Sequence, residues 1–314
     1  MSNWIKKAIK TLLFGDSNPA NQEIEYNSNS HIISSSDYWT RHNVTKHKQF
    51  STREESLHYM RWRFDIYPHY EQLMPCNGFD GKVVLDYGCG PGHDIVGFLE
   101  YSKPKKIIAM DVSSSSLAET SNRIKLHDGT GIVDIKLIKE NERLPIEDNS
   151  IDYIHSSGVL HHTPNMPEIL NEFNRILKPD GFIRIMVYNY NSIWAQLYVP
   201  YVIQMLKKID SNLSLADAFR RSTDGVECPI SNFYIPEEYL DICLKSKLKG
   251  VCTGVSIGLE EIEWVHTHMF RAMGDIKFPE IHRNFLKEIT FNEQLQPVYK
   301  GRIAGINAVF ELTK

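Results

Sequence analysis

The run Val84-Leu85-Asp86-Tyr87-Gly88-Cys89-Gly90-Pro91-Gly92-His93 constrains the fold more than any other part of the chain. An apolar stretch ends in an acid, and glycines follow at alternate positions. That order reads as a buried strand that stops at a tight loop and feeds a helix. In an open α/β sheet a ligand lies beyond the carboxyl ends of the strands, where glycines let the backbone come close to it. The helix start adds unpaired N–H groups and the positive end of a dipole.

The spacing then sorts ligands. A dinucleotide fingerprint needs G-x-G-x-x-G, and here the third glycine comes one residue early. No Gly-Lys-Ser/Thr follows, which excludes the phosphate loop of nucleoside triphosphatases. Asp86, directly before the first glycine, sits poorly beside a pyrophosphate and suits a cation such as an amino-acid ammonium. Asp111 ends the next apolar run, Ile107-Ile108-Ala109-Met110-Asp111. A carboxylate at that strand end accepts hydrogen bonds from ribose hydroxyls. The two acids on adjacent strands imply one ligand that carries both an ammonium group and a ribose.

From Lys82 onward, apolar strand-like runs alternate with helical ones. The clearest helix spans residues 166–177, with Met166, Ile169, Leu170, Phe173, Ile176 and Leu177 on one stripe, and Lys178-Pro179-Asp180-Gly181 stops it. Such alternation predicts an α/β fold with a mostly parallel sheet covered by helices on both faces. Residues 1–14 read as an amphipathic helix, either a peripheral membrane contact or a helix docked on protein. Residues 15–36 are polar and read as a tether. Residues 37–80 read as a helical cap in which Ser51-x-x-Glu54 signals a helix start, with Trp62 and Phe64 expected in its core. Residues 81–190 form the ligand-binding core, 191–300 an insertion or lid after the fifth strand, and 301–314 the last core strand. The helix predicted within 192–209 belongs to that insertion.

Composition narrows the class. Lys and Arg total 35 against 39 Asp and Glu, a net charge of −4, which argues against a general nucleic-acid binder. The five cysteines show no C-x-x-C spacing, as expected of reduced thiols in a cytoplasm, and offer no zinc signal. No apolar run approaches the roughly 20 residues of a bilayer span. Lys6, Lys7 and Lys10 break up the apolar N-terminal stretch that a secretory signal would need.

Together VLDYGCGPG, IIAMDVS, ENERLPIEDNSIDYI, GVLHHTPN and ILKPDGFI resemble the class I S-adenosylmethionine-dependent methyltransferases over roughly residues 80–190, nearest the quinone-biosynthesis-type, small-molecule branch. The resemblance implies a Rossmann-like sheet, S-adenosyl-L-methionine as cofactor and S-adenosyl-L-homocysteine as product. It also implies roles by position. Asp86, Tyr87, Gly88, Gly90 and Gly92 would hold the methionine end and the sulfur side of the ribose. Asp111 would hold the ribose diol, and Val112 would touch the adenine. Glu140, with Asn141 beside it, would take the adenine amine, although the family more often has an aspartate there. Ser156 and Ser157 would line the sulfonium end.

His161 and His162 follow the fourth strand, near where the methyl group should point. Either is a candidate base for an acceptor hydroxyl, or only shapes the loop. A metal role would need a third ligand, and the sequence identifies none. Tyr38, Trp39 and His42 in the cap, Tyr188 and Asn189 at the end of the fifth strand, and Arg221 in the insertion are acceptor-site candidates. A weaker similarity, carried by YWTRHNVT, the Trp-Arg-Phe segment and RRSTDG, points to methyltransferases of bacterial surface glycans. It implies O-methylation of a sugar in a surface polysaccharide or its precursor. The rivals are a quinone or other lipid-like ring, and a protein that binds the cofactor without turnover. The base-amino-group motif Asn-Pro-Pro-Tyr is absent after the fourth strand, so no nucleic-acid substrate is expected.

Overall fold

The computed structural model describes residues 33–140 and 142–314. The amphipathic helix expected over residues 3–14, most of the tether and Asn141 lie outside the described residues.

A seven-stranded sheet organises residues 33–314, which make one compact unit. Its strands are β1 (Val83–Tyr87), β2 (Lys106–Asp111), β3 (Val133–Leu137), β4 (Ile151–Ser157), β5 (Leu177–Tyr188), β6 (Lys249–Ser256) and β7 (Asn307–Thr313), in spatial order β3-β2-β1-β4-β5-β7-β6. β1 through β5 pair in parallel, and β7 runs antiparallel to both β5 and β6. The order reverses between β1 and β4. At such a switch point the connections leave in opposite directions and open a crevice at the strand tips.

Both faces of the sheet are covered, as the apolar runs require. Successive residues of a strand point to opposite faces. Leu85, Ile108 and Ile154 therefore join Leu170 and Phe173 on one side, while Val84 and Ile107 join Ile95, Phe98 and Ile124 on the other. The helices on these faces are α3 (His93–Tyr101), α4 (Ser114–Leu126) and α5 (Met166–Ile176). α5 follows the expected stripe and leads straight into β5. Ile151 pairs with Leu177 and Tyr153 with Phe182, so the Lys178–Gly181 turn loops out of the ladder without ending the strand.

The cap comprises α1 (Ser35–Arg41) and α2 (Arg53–Ile66). The last two residues assigned to the tether thus belong to a helix, because Ser34 caps it by accepting from the Asp37 N–H. The N-cap of α2 is Thr52 rather than Ser51, and the Glu55 carboxylate accepts from the Ser51 N–H. Polar bonds moor the cap beside the strand tips. Ser36 donates to the Val112 carbonyl, and Ser113 and Ser115 donate to the carbonyls of Trp39 and Thr40. Arg123, fully buried, donates to Ser56 of α2 and to the Pro91 carbonyl of the glycine loop.

After β5 the expected helix forms as a π-helix, Trp194–Leu206, with Pro200 inside. Proline lacks an N–H and crowds the carbonyl four residues back, and a wider winding relieves that crowding. Helices α6 (Leu215–Asp224), α7 (Pro236–Lys245), α8 (Leu259–Gly274) and α9 (Glu280–Lys287) follow. The expected last strand splits in two. Arg302–Ile303 joins a small three-stranded sheet with Thr290–Phe291 and Pro297–Tyr299, and the main sheet resumes at Asn307. Gly305 lies between, so close to β6 that a Cβ there would stand 2.2 Å from the Ser256 carbonyl oxygen. No helix among the described residues is long and apolar enough to cross a membrane.

Candidate active site

A cavity of about 410 Å³ opens at the tips of β1 and β4, under the cap. Its wall combines the glycine loop, the end of β2, the loop after β4, the end of β5, one face of α2 and the last residue of α6.

Backbone shape dominates the strand-tip half. Gly88 and Gly90 both have positive φ, +74° and +52°. A Cβ on Gly88 would strike Val159, whereas a Cβ on Gly90 meets nothing described within 4 Å and would project into open space. Asp111 bridges the loop to β2, accepting from the Gly90 N–H at 2.8 Å and the Ser113 N–H at 2.7 Å. Burial raises its pKa against the pull of these bonds. Each oxygen keeps a lone pair for a further donor. Tyr87, Val112, Glu140 and Ser157 share this wall. Gly92 caps α3 and lies off the wall.

Ser156 does not reach the cavity. Strand alternation turns it inward, where it donates to the Tyr87 carbonyl, and presents Ser157, bonded to the Tyr70 hydroxyl, to the cavity instead.

Beneath the loop lies a buried charge cluster. Asp86 Oδ2 has no hydrogen-bond partner among the described residues. Burial pushes its pKa up to about 7, with His155 opposing and Asp94 adding to the rise. Arg63 of α2 forks onto both oxygens of Asp94, and His155 Nε2 lies 3.2 Å from that carboxylate. Although burial opposes it, Arg63 holds Asp94 far below the usual carboxylate range. The Arg63 Nε–H is buried without a described partner. An unpaired buried acceptor and an unpaired buried donor, of opposite charge, thus flank the glycine loop. Each is costly unless a ligand meets it. A zwitterionic amino-acid group supplies both complements, so the residues fit the methionine end of S-adenosylmethionine.

Arg63 was not among the sequence candidates. Tyr59, Trp62, Arg63 and Ile66 recur at helical spacing and all face the cavity. An arginine inside an aromatic stripe was the available signal. Trp62, expected in the cap core, lines the cavity as well.

Side chains from distant segments build the other half. His162 lines it, and His161 does not. The His162 Nδ1 lies 2.8 Å from the Ile230 carbonyl oxygen. A carbonyl only accepts, so Nδ1 carries the proton and, in the neutral ring, Nε2 presents a lone pair. That nitrogen lies 3.6 Å from Asp224 Oδ1. Asp224 in turn accepts from the hydroxyls of Tyr188, Thr223 and Ser231. Trp39 packs edge-on against His162, ring centres 4.8 Å apart. His161 is fully buried with neither nitrogen bonded to a described residue, and packs on Tyr188 at 3.9 Å. Burial, with His162 beside it, lowers its pKa well below the ordinary histidine value, so it stays neutral and away from the acceptor.

Trp39 and Tyr188 are therefore on the wall, and the other four acceptor candidates are not. Tyr38 is buried and donates to the Asp224 carbonyl, anchoring the end of α6. His42 stacks on Tyr38 and reaches toward Glu227 at 3.8 Å. Asn189 donates to the carbonyls of Asn191 and Gly305, bracing the turn after β5. Arg221 pairs with Asp210 at 3.3 Å. Asp224 and Cys228 stand beside His162, and of the two the sequence offered no signal for Cys228.

Residues 79–227 match a family model described as a methyltransferase domain. A demethylmenaquinone methyltransferase of Geobacillus stearothermophilus is 30% identical over 125 residues, 39% of this chain and 50% of the relative. A malonyl-[acyl-carrier protein] O-methyltransferase of Marinomonas sp. (strain MWYL1) is 33% identical over 111 residues, 35% of this chain and 39% of the relative. The chain thus spans at most about half the length of these curated relatives. Among solved structures, the YcgJ protein from Bacillus subtilis is 16% identical with a TM-score of 0.48, covering 83% of this chain and 98% of that one.

Proposed function

We propose that the chain, whose residues 79–227 match a methyltransferase domain, is a class I S-adenosylmethionine-dependent methyltransferase that transfers the methyl group to a hydroxyl of a small molecule or glycan. One observation carries the reading. The open Gly90 and the Asp111 carboxylate line one strand-tip cavity that extends to His162, and the unpaired Asp86 oxygen lies buried beneath its glycine loop, off the wall.

When bound, the cofactor supplies a methyl group already activated on a positively charged sulfur. The residues have the remaining tasks. Asp86 and Arg63 hold the charged amino-acid end, and Asp111 accepts from the ribose diol. Val112 and Glu140 are proposed for the adenine by the family resemblance. Trp39, Tyr59 and Trp62 close the cavity from the cap side, excluding water and aligning the acceptor. His162 and Asp224 line the acceptor side of the cavity.

The lining also speaks to the acceptor. Arg63 is the single Lys or Arg on the described wall, and Asp94 neutralises it. Asp111, Glu140 and Asp224 leave the wall acidic. The part of the acceptor inside therefore carries no negative charge, and any phosphate it bears stays outside. Aromatic walls suit a sugar ring, which supports O-methylation of a surface-polysaccharide sugar or its precursor. The apolar Ile66, Val159, Ile169 and Met186 on the same wall favour a second reading, a quinol or other lipid-like ring.

The test has two stages. Calorimetry should show S-adenosylhomocysteine binding where NADH does not. Labelled methyl transfer should then be measured with sugars, nucleotide-linked sugars and quinols. Failure to bind S-adenosylhomocysteine overturns the cofactor reading. Transfer to quinols alone replaces the glycan reading with its rival. A peripheral membrane contact through residues 3–14 is proposed with it, and unchanged liposome pelleting after deletion of residues 1–14 would remove it.

A further inference from the structure

The geometry points to a transition-metal site of the zinc type formed by His162, Asp224 and Cys228, with its open position toward the acceptor. It rests on the reading above, because it assigns the acceptor chamber of that same cavity.

The key contact is His162 Nε2 to Asp224 Oδ1. Ile230 holds a proton on Nδ1, so Nε2 is the ring nitrogen left for a metal, and it faces a carboxylate oxygen. At 3.6 Å the two atoms are beyond hydrogen-bond reach. The spacing suits a cation larger than a proton. In a tetrahedron with bonds of about 2.1 Å, neighbouring ligands stand about 3.4 Å apart.

Cys228 supplies the third donor. One ligand atom from each of the three residues lies within 4.8 Å of the others. The Cys228 thiol is buried and donates to the Ile230 carbonyl at 3.3 Å, so metal binding requires it to turn from that oxygen toward His162 and Asp224. Imidazole nitrogen, carboxylate oxygen and sulfur together suit zinc and not magnesium or calcium, which take oxygen ligands.

The surroundings match what metal ligands require. A ligating histidine usually donates its other N–H to a carbonyl or carboxylate, as His162 does to Ile230. A ligating carboxylate is itself held by donors, here Tyr188, Thr223 and Ser231. Three protein ligands leave a fourth position, as in catalytic zinc sites. His162 and Asp224 both lie on the cavity wall, so that position faces the acceptor.

The experiment uses the full chain, stripped with a chelator and titrated with zinc chloride in a calorimeter. One equivalent should bind, and Cys228→Ala should weaken binding at least a hundredfold. Cobalt(II) in place of zinc should show a thiolate-to-metal absorption band that Cys228→Ala abolishes. No saturable zinc binding, or binding unchanged in Cys228→Ala, overturns the site. Because Asp224 anchors several hydroxyls, Asp224→Asn is a poorer probe than the cysteine variant. S-adenosylhomocysteine binding to the zinc-free chain is measured in parallel. Its retention while zinc fails to bind rejects the metal alone, and its loss would reject the methyltransferase reading independently.

Discussion

The strand-tip half of the cavity and the half beneath the cap are built by different means. In the first, backbone does most of the shaping: residues 86–92 and 111–113 are short contiguous runs, and Asp111 ties them together through two N–H groups. In the second, single side chains from the cap, the loop after β4, the end of β5 and the end of α6 converge, and the Asp224 carboxylate gathers three hydroxyls around it. The contrast follows from what each must recognise. A fixed cofactor is served by a rigid loop at the strand tips. An acceptor specific to one enzyme is served by insertions, which vary without disturbing the sheet.

Perturbing the first half should move cofactor binding in graded steps. The largest effect belongs to Gly90→Val, which combines positive φ with a side chain projecting into the cavity. S-adenosylhomocysteine binding should vanish by calorimetry while the melting temperature falls only modestly. Normal affinity would show that the loop does not cradle the ligand.

Arg63→Gln comes next. Loss of a charged hydrogen bond costs about 1.5–3 kcal/mol, so affinity for S-adenosylhomocysteine should fall roughly ten- to a hundredfold. Methylthioadenosine lacks the amino-acid end, and its affinity should not change. Equal losses for both compounds would mean that Arg63 acts only through the fold, where its removal leaves Asp94 buried without its cation.

Asp111→Ala should weaken cofactor binding by about 1–3 kcal/mol. Adenosine should lose affinity in proportion, since the ribose is common to both. An effect confined to the amino-acid end would reassign the residue.

The same half also carries a pH dependence. The Asp86 pKa is pushed up to about 7 in the unliganded protein. An ammonium group prefers the carboxylate, so below that pH binding must release a proton. Affinity should rise about tenfold per unit toward pH 7 and level off above it, with the slope abolished in Asp86→Asn. The folded state binds this proton more tightly than the unfolded chain does. Stability from this group is therefore fully present below about pH 4 and is lost as pH rises through about 7. A flat affinity profile from pH 5 to 8 would remove Asp86 as the ammonium partner.

The two halves also differed in how far they could be read from the chain. Gly88, Gly90, Asp86 and Asp111 stand within short motifs whose spacing has local meaning; Gly88, Gly90 and Asp111 line the strand-tip cavity and Asp86 lies buried beneath its loop. Helix α5 was equally legible, because its stripe repeats at the helical period. Ser156 and Ser157 both read as lining the site and only Ser157 reaches the cavity, since placing one residue on a face requires the strand's exact alternation. His161 and His162 are adjacent and chemically identical, and only the turn after β4 sends one toward the cavity and buries the other.

The sequence by itself determined the parallel sheet, the glycine loop and the pair of acids at neighbouring strand ends. Those features depend on interactions among residues close together in the chain, or on periodic burial. Tertiary structure alone decided that Arg63 meets Asp94 beneath the loop, and that Asp224 and Cys228 come to His162. These contacts join segments separated by dozens of residues, and side-chain chemistry carries no record of which distant partner the fold will bring near.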